Sequence, residues 1–386
     1  MPSPQPRGRL FVLGAGVSYA TGIPDAGTIL PHLWAYTSGL WDLHVVNKQP
    51  IEYRAPLIAA LQEYLFSGRT SGTYERYPLD ELCDTMYRRA QKEADQGQII
   101  LAMLQEAIAE LLYVRSVTAG ATGAYREFAR QLEDDDVVLS FNWDNALEVA
   151  LTLEGKRWSQ RINQIAETDI ASIIKLHGSI DYWIVDRPVD DTALPEILDD
   201  LALEAPSLVT PDGVVHGYVL TRIKTHDLGA RVITRREQAL RDGVPATRLV
   251  ISLETENWSF VPNDRDIGPF MLRYVLPRYP SPFMLMPASP AVLYDWHYEA
   301  IKSAMRRRAY PFRSSYIVGY SFPHYDERAL HLLTDITKPL CCSDVHIVNP
   351  SVSAISAQTL EAVFGTWQAH ACGFEQFDWN RDQSCT

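Results

Sequence analysis

Two kinds of apolar pattern alternate along the chain. Short unbroken runs, Leu10-Phe11-Val12-Leu13, Val137-Val138-Leu139 and Ile173-Ile174 ahead of Lys175, have the composition of strands buried on both faces of a parallel sheet. Between the first two, from about residue 29 to 133, the spacing turns helical. Leu57, Leu61 and Leu65 recur every fourth position, as do Leu82 and Met86, and Leu104, Ile108 and Leu111 or Leu112 mark a further stripe. These stripes are read as core contacts. After Ser179 an acidic, proline-bearing stretch (186–205) gives way to runs at 217–220 and 249–251 that read as short strands. Residues 295–308 read as a helix, with Trp296, Ile301 and Met305 on or near one face. A strand at 316–319, a polar turn, a helix at 326–334 and a strand at 345–350 complete the pattern.

Strands alternating with helices predict an α/β fold, a doubly wound Rossmann-like parallel sheet. Residues 1–386 are expected to form a single domain, its core made of 8–30, 135–180 and 312–355. An α-helical insertion (31–134) and a second, mixed insertion (181–311) interrupt that core. A C-terminal tail is expected over 356–386, and residues 366–386 show no informative pattern.

Charge and cysteine content narrow the class. A net charge of −13, with 35 Lys and Arg against 48 Asp and Glu, argues against direct nucleic-acid binding. Arg306-Arg307-Arg308 and the arginines scattered from Arg231 to Arg248 are local exceptions, read as a solvated helix face or loop in preference to a phosphate-binding patch. The five cysteines are odd in number, scattered and without a C-x-x-C pair, so neither a disulfide framework nor a metal site is indicated. No apolar leader and no stretch long enough to cross a bilayer stand out, so a cytoplasmic protein with no membrane association is expected.

Each of the first three strands ends in a polar cluster: Gly14-Ala15-Gly16-Val17-Ser18 with Gly22-Ile23-Pro24-Asp25, then Ser140-Phe141-Asn142-Trp143-Asp144, then Lys175-Leu176-His177-Gly178-Ser179. Carboxyl ends of parallel strands are where open α/β sheets hold ligands. Gly14 and Gly16 can bring backbone N–H groups to a pyrophosphate at the start of a helix, which begins near Ser18 or after Pro24. Tyr19 stands where a dehydrogenase fingerprint needs its third glycine, so hydride transfer fits poorly. Asn142 and Asp144 either cap the following helix, as Asn145 also can, or hold a carboxamide and orient a water. His177, with Gly178 giving room beside it, is either a structural hydrogen-bonder or a general base.

In order, G-A-G-V-S-Y-A-T-G-I-P-D, S-F-N-W-D, K-L-H-G-S, G-Y-S-F-P-H-Y-D and V-N-P-S resemble the sirtuin superfamily, most closely its bacterial sirtuin-like NADase branch. The likeness covers about a quarter of the chain. It implies NAD+ as substrate and no metal. Gly14, Ala15, Gly16, Ser18, Pro24 and Asp25 would line the phosphates and nicotinamide ribose, together with Gly178. Asn142 and Asp144 would sit at the nicotinamide end, with His177 as base. Gly319, Tyr320, Ser321 and Asn349 would contact the adenosine side. Deacylating sirtuins carry paired C-x-x-C motifs after the H-G segment; this chain has none between Gly178 and Gly319, and it has Ala26 where the G-I-P-D pattern continues with an aromatic residue.

The resemblance therefore implies an NAD+ glycohydrolase releasing nicotinamide and ADP-ribose, an effector of antiphage defence that depletes NAD+ when switched on. Activation would come from homo-oligomer assembly or from a partner such as a DNA-translocase ATPase or a short Argonaute. The alternatives are a catalytically silent NAD+ or ADP-ribose sensor and, less favoured, a protein deacylase.

Overall fold

The computed structural model describes residues 5–37, 55–66, 79–92, 96–160, 170–187, 198–209, 215–223, 284–286, 291–308, 310–323, 326–340 and 344–379. Seven strands form one sheet: β1 (Arg9–Leu13), β2 (Val137–Ser140), β3 (Trp158–Ser159), β4 (Ala171–Lys175), β8 (Ser314–Val318), β9 (Val345–Val348) and β10 (Gln368–His370). Their order is β10-β9-β8-β1-β2-β4-β3, and every pairing is parallel. All residues of β1, β2, β4, β8 and β9 are buried, so both faces of the sheet are covered, as the unbroken apolar runs predict. The α/β Rossmann-like class is thus the observed one.

Register decides where the turns emerge. Leu13 pairs with Ser140 and with Val318, Ser140 with Lys175, and Val318 with Val348. Lys175, Ser140, Leu13, Val318 and Val348 therefore form one row across the sheet. The five turns that follow them leave from a single edge. The chain runs from β1 to β2 on one side and returns to β8 on the other, which puts a topological switch point between the carboxyl ends of β1 and β8.

Two compact units divide the chain: Met1–Asp25, Val114–Ser179 and Tyr294–Thr386 form one, and Ala26–Tyr113 with Ile180–Leu293 the other. The second contains the helices Ala55–Phe66 and Leu79–Lys92 and most of Gln96–Gly120. The predicted stripes are its core: Leu57, Leu61, Leu65, Leu82, Met86, Leu104, Ile108, Leu111 and Leu112 are all buried. It also holds an antiparallel sheet of β5 (Tyr182–Arg187), β6 (Leu198–Val209) and β7 (Val215–Ile223), with β7 central and containing the expected run 217–220. The run expected at 249–251 lies outside the described residues.

In the sheet unit, the helix Ala291–Arg306 buries Ile301 and Met305 as expected, while the side chain of Trp296 lies outside the described residues. The helix Glu327–Leu340 follows β8. The expectation of a C-terminal tail requires correction for its described residues, 356–379, which are part of the core. They supply the helix Ala357–Phe364 and the edge strand β10, and Phe374, Phe377 and Trp379 are buried. Those rings close around Phe11, Phe128 and Tyr316, with Phe128 and Trp379 4.8 Å apart and Phe377 and Trp379 4.6 Å apart. The cysteine expectation also changes: Cys83 is free and buried, but Cys372 is disulfide-bonded. Among the described residues no helix is long and apolar enough to cross a membrane.

Candidate functional site

The turns after β1 and β8 are pressed together, which explains three glycines. A Cβ on Gly14 would lie 2.5 Å from Tyr320 Cα, and one on Gly319, at φ +62°, would lie 2.6 Å from Val17 N. Gly14 N–H donates to Val318 O and Gly16 N–H to Gly319 O, both at 2.9 Å. These two amides therefore hold the turns to one another rather than facing an anion. Ala15 and Gly16 are exposed at this edge, and Pro24 and Asp25 are half-buried. The helix starts directly after Gly14, earlier than expected, and spans only Ala15–Tyr19.

Ser18, buried in that helix, is the hub of a network. Its Oγ donates to Asp144 Oδ2 at 2.7 Å, accepts from Asn142 Nδ2 at 2.9 Å, and lies 3.0 Å from the Tyr125 hydroxyl. A serine has one proton, and the carboxylate takes it, so Tyr125 must be the donor in its pair with Ser18. Burial first, and then the charge of Asp144, push the Tyr125 phenol well above its ordinary pKa, which keeps it a donor. Asn142 Nδ2 also donates to Gly14 O at 3.0 Å. Among the described residues nothing donates to Asn142 Oδ1, so this half-buried amide presents an acceptor.

Asp144 is buried, with Oδ2 on Ser18 and Oδ1 accepting from Ala146 N at 3.1 Å. It therefore caps the helix Ala146–Leu153, one of the two roles the sequence left open, and both its oxygens are engaged inside the protein. Asn145 occupies the N-cap position without capping; its Oδ1 accepts from Ser179 Oγ at 2.9 Å.

Lys175, the last residue of β4, holds this turn from beneath. Its buried ammonium pairs with Glu148 Oε1 at 3.0 Å and donates to the carbonyls of Asn142, at 3.3 Å, and Asp144. The next turn is tied to the same segment: Trp143 Nε1 donates to His177 O at 3.1 Å, and Ser179 Oγ, whose proton goes to Asn145, lies 3.2 Å from Trp143 O. Gly178, at φ +74°, makes the reversal between them.

His177 is partly exposed and walled by aromatic rings. Phe141 meets it edge-on at 5.1 Å, Tyr294 edge-on at 6.1 Å, and Tyr298 is stacked at 6.5 Å. Phe141 stacks on Tyr320 at 4.2 Å, linking the β2 and β8 turns. The His177 Nε2 atom is buried, 3.5 Å from Asp326 Oδ2, within ion-pair reach but without the alignment of a made hydrogen bond. Burial raises the Asp326 carboxyl, but His177, the Tyr320 hydroxyl and the Ala329 N–H outweigh it and hold its pKa below the ordinary value. Tyr320 OH donates to Asp326 Oδ2 at 3.0 Å.

Of the remaining expected positions, Ser321 is exposed at the β8 turn, and Asn349 is buried after β9. Asn349 Nδ2 donates to Tyr320 O at 3.1 Å and its Oδ1 accepts from Ser351 N at 2.8 Å, so this side chain braces the edge. Behind β4, His297 lies fully buried with Nε2 2.7 Å from Lys175 O. A carbonyl only accepts, so Nε2 carries the proton. Burial pushes its pKa down to about 4, with His177 adding to the fall and the Lys175 carbonyl opposing it.

The structure thus brings Ser18, Asn142, Asp144, His177, Tyr320 and Asn349 to one sheet edge. Lys175, Tyr125, His297 and Asp326 were not assigned roles from sequence. For Asp326 a local signal existed: an acidic residue closes G-Y-S-F-P-H-Y-D and opens a helix. At the opposite edge, Glu133, Asp135 and Asp136 form an acidic group matched by cations, Arg9 with Asp136 at 2.7 Å and Arg313 with Glu133 at 2.8 Å. No protein-family model matches the chain, and no curated protein matches it.

Proposed function

We propose that this edge binds NAD+ and hydrolyses the bond between nicotinamide and ribose. The observation that carries the reading is the amide of Asn142, locked by Gly14 and Ser18 so that its carbonyl stays available, on a turn stapled to that of a partly exposed histidine. As the glycosidic bond breaks, its electron pair goes to the pyridinium nitrogen and nicotinamide leaves neutral. Positive charge then develops on the ribosyl C1′ and its ring oxygen. A water held by Asn142 Oδ1 adds to C1′ and gives its proton to His177, yielding ADP-ribose.

Asp144, with both oxygens engaged, serves in this reading by orienting Ser18 and through it Asn142, rather than by gripping nicotinamide. Ala15 at the β1 turn and Ser321 at the β8 turn offer exposed backbone and hydroxyl to the dinucleotide at the switch point, and Gly16, its own amide engaged, leaves the surface there free of a side chain. The sequence resemblance adds a setting for the activity: depletion of NAD+ in antiphage defence, switched on by self-assembly or a partner ATPase or Argonaute.

Purified protein incubated with NAD+ should release nicotinamide and ADP-ribose in equal amounts. His177→Ala should slow this about 10²–10⁴-fold, the usual contribution of a general base, and Asn142→Ala at least as much. Full turnover in either variant would remove that residue from the mechanism. Tight NAD+ binding without turnover, with and without a partner ATPase or short Argonaute, would turn the reading into a sensor.

A further inference from the structure

We infer that Asp326 is a positioning residue for His177: it holds the imidazole as the Nε2–H tautomer and so leaves Nδ1 bare to accept a proton. The inference rests on the glycohydrolase reading only for what that bare nitrogen then does.

The argument begins with the two ring nitrogens. Nε2 is buried and faces Asp326 Oδ2 at 3.5 Å. Were Nε2 unprotonated, its lone pair would lie beside a carboxylate oxygen with no proton between them, a repulsive contact in a buried place. With the proton on Nε2 the same contact is attractive. Among the described residues no group hydrogen-bonds Nδ1, so nothing opposes that choice. The orientation of a histidine tautomer by the partner of its other nitrogen is a general device.

Asp326 is itself fixed. It opens the helix Glu327–Leu340, its backbone carbonyl accepts from Leu330 N at 3.1 Å, and the Tyr320 hydroxyl donates to the same Oδ2 that faces His177. Tyr320 is in turn stacked on Phe141, whose edge meets the His177 ring. Ring, phenol and carboxylate therefore form a closed set across the β2, β4 and β8 turns. Contacts of this kind are often long in the absence of substrate and tighten around it. When His177 takes the proton of the attacking water on Nδ1, the imidazolium that forms keeps Nε2–H toward Asp326, which stabilises the new charge.

The test uses full-length protein carrying 15N-labelled histidine, with His177→Gln to assign the ring resonances. His177 in the wild-type protein should show a protonated Nε2 and an unprotonated Nδ1; an Nδ1–H ring would overturn the inference without any variant being folded or active. Asp326→Asn keeps an acceptor for Tyr320 and for Ala329 N–H, so the helix start is preserved. It should redistribute the tautomers of His177 and lower kcat for NAD+ by about 10²-fold or more, with KM changed little because Asp326 does not reach substrate. An unchanged tautomer in Asp326→Asn would overturn the inference, as would an unchanged kcat in an active enzyme. A tautomer shift in a protein that never turns over NAD+ would uphold the positioning role and overturn the glycohydrolase reading.

Discussion

Lys175 has three protons to donate, and Glu148, Asn142 O and Asp144 O take them. A cation this deeply buried is tolerated only with such a complete set of partners. Lys175→Met keeps the length of the side chain but removes the cation from a buried carboxylate that otherwise meets the Gln160 amide at 2.6 Å. The substitution should cost about 3–5 kcal/mol of stability, read as a lower urea midpoint with an unchanged slope. A loss below about 1 kcal/mol would mean that Glu148 takes up a proton or water without strain. At this scale sequence reasoning goes only part of the way. Asn142 and His177 stand out because polar residues directly after apolar strands are conspicuous. Tyr125 and Ser18 are 107 residues apart and meet only through the fold, so no local pattern reveals their bond. His297 looks like any histidine on an amphipathic helix until β4 is placed beside it.

At the scale of elements, what was legible is what carries a period. The strands at 10–13, 137–139 and 173–174 and the leucine stripes of the helical insertion were identified because burial on both faces, or on one helical face, imposes a recognisable spacing. Boundaries moved by a few residues, as expected where caps are weak: Asn145 sits at an N-cap without capping, and Asp144 does that work from one position earlier. The stretch after residue 356 escaped because β10 is a three-residue edge strand, Gln368-Ala369-His370, with no apolar alternation. The buried rings of Phe374, Phe377 and Trp379 follow no helical or strand period; they are placed by turns and by β1, β8 and the helix Gly123–Gln131. Trp379→Ala should therefore behave as a core truncation and cost about 3–5 kcal/mol, measurable by chemical denaturation. A cost near zero would show that the C-terminal segment is dispensable to the sheet.

At the scale of the molecule, His297 and His370, among the described residues, couple stability to acidity. His297 is neutral when folded, its pKa pushed down to about 4 from an ordinary 6.5 chiefly by burial. His370 is also held below its ordinary value, by burial and then by His346, whose Nδ1 lies 3.0 Å from His370 Nε2; a single proton serves that contact. Between pH 6.5 and about 4 the unfolded chain binds a proton at His297 that the folded protein refuses, and His370 acts in the same sense. The stability tied to these histidines is therefore fully present above pH 6.5 and falls as the pH drops, for His297 by up to about 1.4 kcal/mol per unit. For His297 the loss accumulates to roughly 3 kcal/mol by pH 4. Asp136 works in the opposite sense: burial raises its carboxyl against the pull of Arg9, so protonation there favours the folded state at low pH. The raw pH curve mixes these effects, and the difference between wild type and a His297→Gln variant separates them. Glutamine keeps a donor for Lys175 O but does not titrate. Urea unfolding at pH 8, 6.5, 5 and 4 should find the variant less stable than wild type at pH 8 and the gap closing by several kcal/mol on acidification. Parallel curves would mean that His297 is charged, or reached by water, in the folded protein.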